Sequence, residues 1–129
     1  MWSDSLPVDL YGHTDYAKRL ITLRTGMSFE ERRCTITHEV EHVLRGPVSR
    51  CRELREEYAV DLRCGRLLLP SVRTLADSLI WHHGDLEAVS EEMWVDPWTL
   101  ESRLGSLRPL ERGYLHRRLA DVELLTVDH

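Results

Sequence analysis

The pattern of apolar and polar positions near the amino terminus predicts the only strands of the chain. Residues 6–11 alternate between apolar and polar side chains, and residues 19–24 form a second β-rich run. Gly12 and His13 lie between these segments and are the expected turn. The pattern therefore predicts a small antiparallel ribbon. The rest of the chain has helical spacing, so we expect an α+β fold that is mostly α.

The first predicted helix has a clear signal at each end. Ser28 followed by Glu31 is a capping-box pair, which satisfies free amides of a first helical turn. Gly46 and Pro47 cannot continue a helix easily and end it. We therefore expect a helix over about residues 29–45.

Further breaks and caps divide the remaining chain into helices. A second helix should cover about residues 50–69, because Pro70 stops it. Ser71, Asp85 and the pair Asp96-Pro97 are start signals of later helices. The expected later helices cover about 72–82, 86–93, 97–107 and a last one from Pro109.

Composition describes one globular domain. The chain has 129 residues, with 42% hydrophobic and 30% charged, which predicts a single compact domain over 1–129. Within it we expect a metal-binding core over 6–70 and a helical subregion over 71–129. No apolar run reaches the ~20 residues of a membrane span, and Asp4 and Asp9 interrupt any signal-like stretch. We expect a cytoplasmic protein.

Charge and cysteine content limit the function classes. The net charge of −5 disfavours broad binding to nucleic acid, which depends on a basic face. This net charge does not exclude a protein partner. The odd number of cysteines, with no close pairing, suits a reducing compartment. These cysteines are Cys34, Cys51 and Cys64.

The predicted first helix carries an H-E-x-x-H motif. His38 and His42 are four residues apart, so both imidazoles lie on one face and can bind the same metal ion. Glu39 lies beside them and can serve as the base toward a water on that ion. Two nitrogen ligands with an adjacent carboxylate are the arrangement of zinc peptidases.

A catalytic zinc needs a third protein ligand, and the second predicted helix offers carboxylates. Glu57 and Asp61 are four apart and share a face, so one can bind the metal while the other orients a ligand histidine. We favour Glu57 as ligand and Asp61 as the partner of a histidine. Glu56 remains an alternative ligand.

Other ligand schemes are less compatible with the spacing. A metzincin would need glycine at position 45 and histidine at position 48, where this chain has Arg45 and Val48. The pair His82-His83 is a remote ligand source, but a polar helix end before a glycine explains it better. A structural zinc with a fourth ligand from Cys34 or Cys51 is a further alternative.

The motifs also resemble a known family, the ImmA/IrrE-type metallopeptidases, especially short versions from actinobacteria and their phages. The resemblance covers most of residues 6–120. It is carried by Glu31–His42 (ERRCTITHEVEH), Glu57–Asp61 (EYAVD), Leu67–Pro70 (LLLP) and Glu92–Leu104 (EMWVDPWTLESRL). It implies a minimal zincin-like core and Zn²⁺ bound by His38, His42 and Glu57. It also implies an edge strand to which a substrate adds.

The resemblance further implies a function. We expect a site-specific zinc endopeptidase that cleaves a repressor or a similar transcription regulator of a phage or mobile element. One alternative is a non-hydrolytic protein that binds a repressor through a peptidase-like fold. Tyr11, His13 and Tyr58 have suitable chemistry for stabilising an oxyanion, but the sequence positions none of them.

The other alternative is a small DNA-binding regulator. Residues 86–107 have helix-turn-helix proportions. Glu101, Arg103 and Arg108 give a poor phosphate footprint, so we expect a packing platform instead. Trp94 and Trp98 are expected to be core anchors or part of a partner surface.

Overall fold

The protein is α+β and mostly helical, as predicted. The computed structural model describes residues 1–4, 6 and 10–127, with side chains as far as residue 122. Three strands come first: β1 (Trp2–Ser3), β2 (Gly12–Asp15) and β3 (Leu20–Arg24). The helices follow as α1 (Phe29–Arg45), α2 (Glu53–Leu68), α3 (Val72–Trp81), α4 (Leu86–Met93), α5 (Pro97–Gly105) and α6 (Pro109–Val127). A 3₁₀ turn at Arg50–Arg52 leads into α2.

The strands form one sheet in the order β1-β3-β2. β1 runs parallel to β3, and β2 runs antiparallel to it with Gly12 opposite Leu23 and Asp15 opposite Leu20. β2 is therefore an edge strand, and it packs against α1.

The predicted turn at Gly12 and His13 is wrong, because both residues belong to β2. The chain reverses after Asp15 instead, where the carboxylate of Asp15 accepts from the amide of Lys18 at 3.1 Å and Arg19 has a φ of 50°. Residues 7–9 of the predicted first strand lie outside the described residues. Its described members, residues 6, 10 and 11, are not in a strand.

The predicted limits of α1 are confirmed. Ser28 Oγ accepts from the amide of Glu31 at 3.1 Å, and the Glu31 carboxylate accepts from the amide of Ser28 at 3.1 Å. Gly46 ends the helix with a φ of 82°, a conformation that favours glycine. The side-chain caps of the later helices are also confirmed, at Ser71, Asp85 and Asp96.

The hydrophobic core lies mainly among the carboxyl-terminal helices. Its buried members include Leu75 and Ala76 of α3, Val89 of α4 and Leu100 of α5. α2 packs against α5, and α3 packs against α6. The helical part therefore supports the outer side of α2, whose other side faces α1.

Several apolar side chains lie outside this core. Trp94 and Trp98 are 60% and 67% exposed, so they are not core anchors. Trp94 ends α4 in a left-handed conformation, and its ring contacts Phe29 edge to face at 5.7 Å. The outer face of α1 is also exposed. This face contains Ile36, Val40, Val43 and Leu44.

A buried ion pair joins α2, α5 and α6. Arg103 of α5 is 1% exposed, and its guanidinium donates to both carboxylate oxygens of Glu111 at 2.6 and 3.1 Å. Its Nε donates to the carbonyl of Leu69 at 2.9 Å. The Arg103 guanidinium therefore makes its hydrogen bonds inside the protein and is not accessible for binding a phosphate.

The lengths and apolar content of the helices also bear on membrane insertion. Among the described residues, every helix is too short or too polar to span a bilayer.

Candidate metal centre

α1 and α2 pack side by side and bring three metal-binding side chains together. Nε2 of His38 lies 3.1 Å from Nε2 of His42. One carboxylate oxygen of Glu57 lies 3.1 Å from His38 Nε2, and the other lies 2.9 Å from His42 Nε2. The juxtaposition of His38, His42 and Glu57 expected from the sequence is thus present.

The spacing of these three groups fits a zinc ion. In a tetrahedral site with bonds of about 2.0–2.1 Å, ligand atoms lie about 3.3–3.4 Å apart. The nearest atoms of each pair lie 2.9 to 3.1 Å apart, with Glu57 contacting the two histidines through different oxygens, and one donor atom from each residue lies within 4.8 Å of the other two. Within the described residues, this is the group of histidine, cysteine and acidic side chains compact enough to hold a metal. The half-exposed Glu57 leaves one side open to solvent.

Asp61 holds the other nitrogen of His38. Its carboxylate lies 3.1 Å from His38 Nδ1, one helical turn after Glu57. An Nδ1–H bonded to this carboxylate leaves the Nε2 lone pair free to bind a metal. Without a metal, burial lowers the pKa of His38, but the hydrogen bonds to Asp61 and Glu57 outweigh it and raise this pKa to about 10, so a metal ion must displace the Nε2 proton when it binds.

The side chains of Glu57 and its neighbour Glu56 have different partners. The Glu56 carboxylate forms a two-point ion pair with Arg45, the last residue of α1, and one of these hydrogen bonds measures 3.1 Å. This contact lowers the pKa of Glu56. Glu57 alone of the two contacts the histidines, and these contacts lower its pKa. The alternative ligand Glu56 is therefore turned away from the candidate centre.

Glu39 follows His38 on α1, and its side chain faces the sheet. Its side chain is buried, and one carboxylate oxygen accepts from Thr14 Oγ1 at 2.5 Å. Thr14 belongs to the edge strand β2. The predicted base is thus held between α1 and β2, in contact with a residue that the sequence did not single out.

A cleft passes the candidate centre on both sides. One cavity of about 370 Å³ extends toward Trp98 and Thr99 of α5, and another of about 550 Å³ extends toward Tyr16 and Pro47. Both cavities are lined by Leu10, Gly12, His38, Glu39 and Glu57. The two cavities therefore share part of their lining at the donors, with residues of β2 along one wall.

Taken together, the site offers three metal donors, a buried carboxylate and an open groove. The chain matches none of the protein-family models, curated proteins or solved structures with which it was compared. Two imidazoles and one carboxylate with an open side are a donor set suited to a catalytic zinc ion.

The cysteines and the remote histidines are not part of the donor group. Cys34 is buried, lines the smaller cavity, and its sulfur accepts from the amide of Asp96 at 3.5 Å. Cys51 is exposed beside Ser49. His82 lies 2.5 Å from a carboxylate oxygen of Glu92 on α4, a contact between helices. The sequence offered these residues as alternative metal ligands. Among the described residues, none of them belongs to the compact donor group of His38, His42 and Glu57.

The side chains considered for an oxyanion lie in different places. Tyr11 hydrogen-bonds Glu31, which raises the Tyr11 pKa. Tyr58 is exposed and lines a separate cavity with Trp98. His13 and Tyr16 line the larger cavity of the cleft. Tyr16 has no motif in the sequence; only its position in the turn after β2 brings it to the site.

Proposed function

We propose that the protein is a zinc-dependent endopeptidase with a minimal zincin-like core, similar to the ImmA/IrrE-type metallopeptidases. One observation carries the proposal: His38, His42 and Glu57 contact one another at 2.9 to 3.1 Å, and the buried Glu39 lines the same cavity. A donor triad with an adjacent carboxylate in an open cleft is what metal-assisted peptide hydrolysis requires.

Each residue has a role in this proposal. His38, His42 and Glu57 hold the ion, which when bound supplies a Lewis acid that activates water and polarises a peptide carbonyl. Glu39 accepts the proton of the attacking water and returns it to the leaving amine. Asp61 orients the His38 ring.

Tyr16 is our choice for the oxyanion contact. The ordinary tyrosine pKa of about 10 already keeps its hydroxyl protonated at neutral pH and able to donate, and burial and the nearby charges of Glu39 and Glu57 raise this pKa further. Tyr16 lines the same cavity as His42 and Glu39.

The proposed substrate is a protein segment in extended form. Among the described residues β2 pairs only with β3, so its outer edge is available to an added strand. Gly12, His13 and Thr14 of β2 line the cleft. By resemblance, the substrate is a repressor-like regulator of a phage or mobile element, cleaved inside a bacterial cell.

Zinc analysis of purified protein tests the metal site. We expect about one zinc per chain. His42→Ala should lose it, whereas His116→Ala, at an exposed histidine of α6, should keep it. Equal zinc content in all three proteins would refute the site.

Cleavage of a library of internally quenched peptides tests the chemistry. Glu39→Gln should keep its zinc and lose about 10²–10⁴-fold in rate, because it lacks the general base. Glu41→Gln is the matched control, since Glu41 belongs to the same motif but not to the donor group. Undiminished cleavage by the Glu39 variant would refute Glu39 as the base, and no cleavage by the zinc-loaded unaltered protein would favour a binding function over hydrolysis.

A further inference from the structure

The face of β2 that packs on α1 contacts the side chain of Glu39. Thr14 Oγ1 donates to Glu39 Oε2 at 2.5 Å, and both side chains are buried, at 8% and 7% exposure. The same hydroxyl lies 3.5 Å from the Glu39 backbone carbonyl. Thr14 therefore contacts Glu39 twice and holds the carboxylate from the sheet side.

Gly12 faces the same residue from the preceding inward position of β2. A Cβ at position 12 would lie 2.7 Å from Thr35 Cγ2, 3.1 Å from Glu39 Cγ and 3.3 Å from Glu39 Oε1. Glycine leaves the space that the carboxylate occupies. Because side chains alternate along β2, Gly12 and Thr14 lie on the same face of the strand. Thr14 donates a hydrogen bond to Glu39, and Gly12, which has no side chain, leaves room for it.

This contact leaves the chemistry of the carboxylate intact. A carboxylate has two oxygens and about four acceptor positions, so one donor on Oε2 leaves Oε1 free to take a proton. A general base must also be held in one geometry, since a displacement of about 1 Å costs up to about a hundredfold in rate. A hydroxyl fixed by the sheet provides such a restraint.

We infer that Thr14 is a positioning residue that orients Glu39 for proton transfer. This inference rests on the proposed peptidase function. Thr14 acts through Glu39, so its loss lowers the rate of the chemical step and leaves metal and substrate binding in place. A purely structural bond between β2 and α1 would instead affect folding, metal content or substrate affinity.

Three variants test the inference. Thr14→Val removes the hydroxyl at nearly constant shape, Thr14→Ser retains a hydroxyl, and Thr22→Val makes the same exchange on β3. Each protein is measured for zinc content and for kcat and KM on the library peptide that the unaltered protein cleaves fastest. We expect the Thr14→Val variant to keep its zinc and its KM within about twofold and to lose about 10–100-fold in kcat. We expect Thr14→Ser to recover most of the kcat, and Thr22→Val to match the unaltered protein.

A structural measurement tests the inference without activity. Crystal structures of the zinc-loaded proteins should show one Glu39 carboxylate conformer in the unaltered protein and in the Thr14→Ser variant. The Thr14→Val variant should show a displaced or divided carboxylate. Unchanged kcat and an unmoved carboxylate in the valine variant would overturn the inference, as would a Thr14→Ser variant as slow as the valine variant. If Glu39→Gln cleaves at the normal rate, Glu39 is not the base and the inference about Thr14 is overturned. If the zinc-loaded unaltered protein cleaves no peptide, the proposed function fails instead, and the carboxylate position in the crystal structures still shows whether Thr14 orients Glu39.

Discussion

At the scale of single residues, the contrast between Glu56 and Glu57 gives the sharpest test of the donor set. Successive helical residues point about 100° apart, so only Glu57 reaches the histidines while Glu56 pairs with Arg45. Glu57→Gln should weaken zinc binding by more than about a hundredfold, because even an outer partner of a ligand is worth about 10–100-fold. Glu56→Gln should bind zinc normally. Competition with a chromophoric chelator measures both affinities, and equal losses would contradict the assignment.

Asp61 should tune the metal site without binding the ion. Asp61→Ala removes the acceptor of His38 Nδ1, so the ring loses its fixed orientation. Zinc affinity should fall about 10–100-fold, and Asp61→Asn, which keeps an acceptor oxygen, should fall less. The same chelator competition measures both changes. A normal affinity in the alanine variant would show that the contact does not orient His38.

The sequence predicts the donors better than it predicts their surroundings. The spacing of His38 and His42, and the shared face of Glu57 and Asp61, follow from helical periodicity within one element. The Thr14 contact joins residues 25 positions apart. A single threonine has no spacing pattern, and only the packing of β2 on α1 brings its hydroxyl to Glu39.

At the scale of elements, the helix limits were predictable because their signals are local. The Ser28 cap and Gly46 end act within one turn of α1. The sheet order was not predictable, since the two-residue β1 pairs in parallel with a strand about 20 positions later. Apolar periodicity also could not show that the outer face of α1 and both Trp94 and Trp98 would stay exposed.

Gly12 of β2 and Gly113 of α6 have different surroundings, so replacing each by alanine should change the stability of the protein in opposite directions. Gly12→Ala should destabilise the fold by about 1–3 kcal/mol, because its Cβ would overlap Thr35 and press on Glu39. Gly113→Ala is the control. Gly113 is exposed within α6, and a Cβ added there would meet no atom within 4 Å, so alanine should stabilise by about 0.5–1 kcal/mol. Urea unfolding measures both, and destabilisation of equal size at the two sites would contradict the packing argument.

At the scale of the whole molecule, the carboxyl-terminal helices support the candidate site through α2. Arg103 joins the end of α2 at Leu69 to Glu111 in the first turn of α6. The amide of Arg108 also donates to Glu111 at 3.0 Å. Because Glu57 and Asp61 are on α2, the position of the third donor depends on contacts made by residues far from the H-E-x-x-H motif.

The Arg103–Glu111 pair makes stability depend on pH. The hydrogen bonds from Arg103 lower the pKa of Glu111 to about 2, below its usual 4.5. A carboxyl with a depressed pKa in the folded state stabilises the protein above its unfolded pKa and loses that effect as the pH falls. The stabilisation should therefore be complete above about pH 4.5 and disappear as the pH falls toward about 2.

Glu111→Gln should accordingly lower the free energy of unfolding by about 1.5–3 kcal/mol at pH 7, since it weakens charge-assisted bonds to a buried guanidinium. The difference from the unaltered protein should shrink steadily between pH 4.5 and pH 2. Asp77→Asn is the matched control, because the Asp77–Arg118 pair is exposed and screened by solvent and should contribute little to stability. Urea unfolding across this pH range measures all three proteins. A difference that stays constant with pH would mean that Glu111 stabilises by packing and not by its charge, because only the charge is removed by acid.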